Sequence, residues 1–183
     1  REYNWDVDKV VDEPGPHMLI EGGTVDVNYT ITVNTVGDPV DSGWAVDGSI
    51  YISNNHPTRD ADLTSVVDVI STDLDAEVIC PSSSVPASGQ LTCTYSRDLT
   101  DAVARTNQAT ATQQLYDFNY EGAATPDGTK DYSGSAAVTF GEPDDLIDEC
   151  ADVTDTNAGF AAVHGTPSVC FDDALPATFT YLR

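Results

Sequence analysis

Lys9 is one of two lysines in the 183-residue chain. The alternating run YNWDVDKVV places it on one face with Tyr3, Trp5, Val7 and Val11. An ammonium buried on an apolar face is costly unless it is paired or neutral. A neutral lysine amine is a nucleophile, and its attack on an Asn carboxamide, with loss of ammonia, forms an isopeptide bond within the chain. A buried, protonated carboxyl must shuttle the protons. Asn107 is the matching carboxamide, because N-x-A-x-A puts it on the strand face of Ala109 and Ala111. Asp68, inside SVVDVI, is the matching acid. The plainer alternative is a strand-end lysine that reaches solvent or forms an ion pair.

The carboxylates suggest a second chemistry. Asp144, Asp145, Asp148, Glu149, Asp152 and Asp155 crowd one stretch; DLDAE carries Asp73, Asp75 and Glu77; GDPVDSGWAVDG carries Asp38, Asp41 and Asp47. Calcium takes about six to eight oxygen ligands, which acidic loops supply readily. None of the three stretches has the spacing of an EF-hand loop, so the expectation is at least one bound calcium with its ligands drawn from these groups. The alternative is a solvated acidic surface.

Composition narrows the partners. The chain has 31 acidic residues against 7 Lys and Arg, a formal net charge of −24. Phosphate backbones and anionic lipid surfaces are repelled by such a charge, which excludes nucleic acid and non-specific membrane binding as main activities. No apolar run is long enough to span a bilayer, so no membrane insertion is expected. Arg1 opens the sequence without an initiator Met or an apolar leader, as a mature or excised segment would.

Cysteine spacing points to compartment. Cys80 and Cys93 flank PSSSVPASGQLT, and Cys150 and Cys170 flank ADVTDTNAGFAAVHGTPSV. Two local pairs predict two loop-closing disulfides and an oxidising, extracytoplasmic setting; the spacings do not suit zinc. Catalytic signals are weak. His17, His56 and His164 all lie in loops rich in Pro or Gly, and neither H-E-x-x-H nor G-x-S-x-G occurs. The expectation is a protein that is not an enzyme. Asn28, in NYT, is a glycosylation sequon on a polar face.

Almost every ordered run has period two. GTVDVNYTITVNT aligns Val25, Val27, Tyr29, Ile31 and Val33; WAVDGSIYIS aligns Trp44, Val46, Ile50 and Ile52. ADLTSVVDVI, AEVIC, GQLTCTYS, ARTNQATATQQLY and YSGSAAVTFGE follow, separated by Pro, Gly, Asn and Asp clusters. Strands at this spacing without helices predict an all-β protein, an Ig-like antiparallel β-sandwich over residues 1–141. Residues 142–183 are expected to form an acidic, disulfide-closed β extension with at most three short strands.

The stretches DSGWAVDGSIYISN, ADLTSVVDVI, AEVIC with GQLTCTY, RTNQATAT and GSAAVTFG…CADVTDT resemble the Ig-like tandem-repeat modules of prokaryotic cell-surface proteins. The resemblance implies a stalk, adhesin or fibre module at the cell surface or outside the cell. This chain departs from such modules in its acidity. Its last run, PATFTYLR, alternates Phe179 and Tyr181 with polar residues and is followed by no hairpin partner in this sequence. That strand either lies back on its own sandwich or crosses to a neighbouring copy, with Phe179 and Tyr181 as anchors. The second course repeats head to tail into a homo-polymer. The functional expectation is therefore a structural subunit of an extracellular fibre, assembled by strand donation and stabilised by calcium. The alternative is an adhesion module that binds a surface glycan or protein through its loops.

Overall fold

A computed structural model describes residues 1–71 and 73–183. The protein is all-β and sandwich-like, with thirteen strands and one short helix among the described residues. It divides into two compact units. The division differs from the expected one of 1–141 and 142–183. Unit 1 combines residues 1–42 with residues 143–183, and unit 2 is the contiguous segment 43–142. The acidic carboxy-terminal stretch is thus not an appendage but half of a unit.

Unit 1 is built on a three-stranded antiparallel sheet in the order β1 (Trp5–Val11), β2 (Asn28–Thr35), β13 (Ala177–Leu182). The final strand lies back on its own unit, with Phe179 opposite Ile31 and Tyr181 opposite Tyr29. Its aromatic residues are engaged: Tyr181 is buried and Phe179 packs against the same core as Ile31, Val33, Val153, Phe160 and Val169. The expectation that this strand is spare for a neighbour is therefore corrected. Its backbone has a partner in β2, and its two proposed anchors fill the core that β2 requires.

Two smaller elements cover that sheet. β11 (Cys150–Asp152) and β12 (Ser168–Cys170) form a ribbon whose directly opposed Cys150 and Cys170 are disulfide-bonded. Between them runs the helix α1 (Ala158–His164), absent from the sequence reading. Asn157 caps it by accepting from the Gly159 amide, and its one buried residue is Phe160.

Unit 2 contains two sheets. One has the order β3 (Ala45–Asn54), β8 (Gly89–Asp98), β6 (Glu77–Ile79). The other runs β10 (Ala124–Val138), β9 (Arg105–Phe118), β4 (Ala61–Ile70), β5 (Leu74–Asp75), with β7 (Ser84–Val85) also paired to β4. The sheets meet through Val85, Leu91 and Cys93, packed on by Ile50, Ile52, Leu63 and Val66. Cys93 is wholly buried and bonded to Cys80, so this disulfide is part of the core as well as a loop closure. Both expected disulfides are present, and no free cysteine remains among the described residues. They indicate an oxidising, non-cytoplasmic setting. Among the described residues no helix is long and apolar enough to cross a membrane.

Candidate functional site

The sheet β10-β9-β4 of unit 2 carries an unusual inner face. Asp68 pairs opposite Ala109 and Ile70 opposite Asn107; on the other side of β9, Ala136 lies opposite Asn107, Gly134 opposite Ala109 and Tyr132 opposite Ala111. Opposed residues point to one face, and so do every second residues along a strand. Asn107, Ala109 and Ala111 therefore share the face that N-x-A-x-A predicts, and Asp68 joins them. Side chains of alanine and glycine are too short to fill the gap of roughly 10 Å between packed sheets. The result is a cavity of about 600 Å³. A β-carbon added at Gly134 would meet no atom within 4 Å.

Two features make this cavity more than loose packing. Its walls include the consecutive residues 49–55 of β3 and its end and 132–136 of β10, so the edges of both strands border it, not merely one face. β3 ends one sheet and β10 ends the other. Two sheet edges thus flank an open slot, each with a row of backbone groups lacking a strand partner among the described residues.

The second feature is polar. Asp68 is 2% exposed and Asn107 is 5% exposed. Neither carboxylate oxygen of Asp68, nor Oδ1 of Asn107, has a hydrogen-bond partner among the described residues. Burial raises the Asp68 pKa above the ordinary carboxyl value, and the adjacent Asn107 side chain offsets part of that rise without closing a hydrogen bond to either oxygen. Buried polar groups are almost always satisfied, so three orphaned oxygens at one place call for a donor.

That donor is not Lys9. β1 places Lys9 opposite Ile31 in unit 1, where its side chain is 40% exposed and its Nζ lies 2.5 Å from Asp155 Oδ2. It also lies 4.9 Å from the Tyr29 ring centroid. The expected burial on an apolar face is corrected for a physical reason. The face of Trp5 and Val11 is only partly covered, and Val7, beside Lys9, is 63% exposed, so the ammonium sits at the rim of the sheet. The three residues of the expected isopeptide bond separate accordingly: Asp68 and Asn107 are together in unit 2, while the amine is engaged by Asp155 in unit 1.

Asp155 is the polar centre of unit 1. It accepts from Lys9, from the Tyr181 hydroxyl at 2.7 Å and from the Asn157 amide at 2.9 Å. The Lys9 ammonium foremost, then these hydrogen bonds, hold its pKa down to about 2. Asp41 similarly binds the Arg1 guanidinium through two hydrogen bonds, which lowers its pKa. Two of the carboxylates expected for calcium are thus committed to cations of the chain. Asp38, Asp144, Asp145, Asp148 and Asp152 are exposed in unit 1, with Glu149 half-buried, and Asp47, Asp73, Asp75 and Glu77 are exposed in unit 2. Among the described residues no three His, Cys, Asp or Glu side chains gather as a metal-holding group.

The histidines have local tasks. His56 Nδ1 accepts the amide of Arg59, His17 contacts the Glu13 carbonyl, and His164 contacts the Thr180 carbonyl. A feature the sequence reading overlooked lies between β1 and β2. Residues 12–27 form an arm whose Met18, Leu19 and Ile20 are 99%, 52% and 86% exposed. The signal was HMLI, an apolar run between the turn clusters EPGP and EGG, with too few residues to show a period. No family model matches this chain, and neither does any curated protein or solved structure.

Proposed function

We propose that this protein is a structural module of an extracellular fibre or surface stalk, whose copies join head to tail when an extended segment of one copy enters the open core of unit 2 in the next. The observation that carries this reading is the slot between β3 and β10. Two free edges, an apolar floor and orphaned buried acceptors are together what an added β-strand satisfies. Main-chain hydrogen bonds go to the edges, alternate side chains to the floor, and a donor to Asp68 and Asn107. The bordering stretches of β10 and β3, five to seven residues, match an ordinary strand length of about five or six. A contact between two different surfaces of the same chain does not close on itself, so repetition gives a filament.

The two disulfides support an extracytoplasmic setting for such a module, and its resemblance to surface repeat modules points the same way. Calcium enters this reading through the charge of −24, which neighbouring copies must screen to approach. Negative-stain microscopy with sedimentation of the oxidised protein over rising concentration and salt is the test. Filaments or open-ended oligomers support the reading; a monomer under all conditions removes it. A second reading has one observation in its favour. A cavity of this size falls within the range of small-ligand sites, and Tyr51, Tyr95 and Tyr132 line it beside the acid and amide. A glycan-binding adhesin would show saturable sugar binding as a discrete particle.

A further inference from the structure

We infer that the segment entering the slot is the β1–β2 arm of a second copy, with residues 16–20 as the inserted strand. This rests on the head-to-tail reading above and names both halves of its contact. The arm carries three consecutive large apolar residues, exposed at 99%, 52% and 86%, beyond what a solvated loop requires. It is longer than ordinary connections. Between residues 13 and 26 its only backbone–backbone hydrogen bond, among the described residues, is the turn from the Gly23 amide to the Ile20 carbonyl. The amides of Met18 and Leu19 are therefore available to a sheet edge.

Charge selects the same pair of surfaces. Copies of a chain with net charge −24 repel, and they meet most readily where neither presents carboxylates. Residues 14–20, PGPHMLI, contain none. Of all residues lining the slot only Asp68 is acidic, and it is the one whose oxygens lack a donor. In an extended strand His17 and Leu19 share one face and Met18 and Ile20 the other. With the second face inward, Met18 and Ile20 cover Ala109 and Ala111, the floor that short side chains leave unfilled. The exposures of Met18 and Ile20 show that the arm's own chain does not cover them.

Two variants and one footprint test this. Met18→Asp with Ile20→Asp disables the arm and keeps the slot. Gly134→Phe plugs the slot and keeps the arm, because the space above Gly134 is empty and its φ lies outside the left-handed region. In a Trp5→Phe background, Trp44 fluorescence first shows that each unit 2 is folded. Each variant alone should remain monomeric where the unaltered chain assembles, and an equimolar mixture should yield a 1:1 dimer that grows no further. Met18 is the only methionine, so its oxidation by peroxide reports the arm directly and should slow several-fold on assembly of the unaltered chain. Variants that assemble like the unaltered chain, a mixture that stays monomeric, or Met18 oxidised equally fast in assembled material would overturn the inference while leaving a fibre module standing. An unaltered chain that never assembles would remove the fibre reading and this inference together.

Discussion

Replacing Asp68 with valine should stabilise unit 2. The carboxyl is 2% exposed and neither oxygen has a partner among the described residues. A buried polar group left unsatisfied costs about 1–3 kcal/mol, and removing it recovers that amount. Valine suits a strand, and the adjoining cavity takes its extra volume without displacement. Unit 2 spans residues 43–142, and for a domain of that size each kcal/mol moves Tm by about 4–8 °C. The gain must also depend on pH. The native Asp68 pKa is raised by burial, so between the unfolded value of roughly 3.9 and the native value the folded chain holds a proton that the unfolded chain has released. Stability of the unaltered protein then falls as pH rises through that window, and is unaffected by this group below it. The variant lacks this dependence, so the difference between the two should be smallest near pH 4 and widen upward before levelling. Urea unfolding in a Trp5→Phe background reads unit 2 alone, because Trp44, packed edge-on against Phe140 at 5.2 Å, is then the sole tryptophan. A variant less stable than its parent, or a difference constant from pH 4 to 8, would refute the reasoning, since either means that Asp68 has a partner.

Other outcomes follow from unit 1 and the disulfides. Gly159→Ala should destabilise unit 1 by about 1–2 kcal/mol although alanine favours a helix by about 1 kcal/mol, because its β-carbon would lie 2.8 Å from the Leu182 backbone carbonyl; Trp5 fluorescence during urea unfolding reads it, and a stabilised variant counts against the α1–β13 contact. Asp155, with a native pKa of about 2, lies below the roughly 3.9 of an unfolded Asp. Its stabilisation is complete above about pH 4 and is lost as pH falls toward 2. Asp155→Asn should thus cost unit 1 about 1–2 kcal/mol at neutral pH, after allowing for the half-exposed Lys9, and much less at pH 2; equal costs at both would contradict the ion pair. Cys80→Ala with Cys93→Ala should cost about 3 kcal/mol and act on unit 2, whereas Cys150→Ala with Cys170→Ala should act on unit 1, each read by the tryptophan of its own unit.

Local patterns in the sequence identified local structure. Alternation located β1 to β3, β8, β9 and the second half of β10, whose first half holds the turn-like TPDGTK; β4 showed as a run apolar on both faces; and N-x-A-x-A set the face of Asn107 correctly, because side-chain direction in a strand is fixed by parity alone. The cysteine pairs were legible because each closes a short segment. What failed was long-range. Tyr29 lies opposite Tyr181, and no pattern within either strand encodes a partner at the far end of the chain, so residues 142–183 looked like an extension rather than half of a unit. Lys9 was assigned to a buried face because alternation says which residues share a face but not whether anything covers it. The helix α1 is too short for a helical period to show, and only its Asn157 cap before an alanine-rich run announces it. The cavity was hidden for a similar reason: Ala109, Ala111, Gly134 and Ala136 read as ordinary inward residues, and their joint failure to fill the space appears only when register brings them together.

Hydrogen–deuterium exchange on the assembled and dispersed protein addresses the central claim most directly. The account places the junction between copies along the slot, so amides on the open edges of residues 49–55 and 132–136 should exchange markedly more slowly in assembled material, while those of β13, already paired with β2, should not change. Protection confined to β13, or assembly that leaves both slot edges exchanging as they do in the dispersed chain, would contradict it.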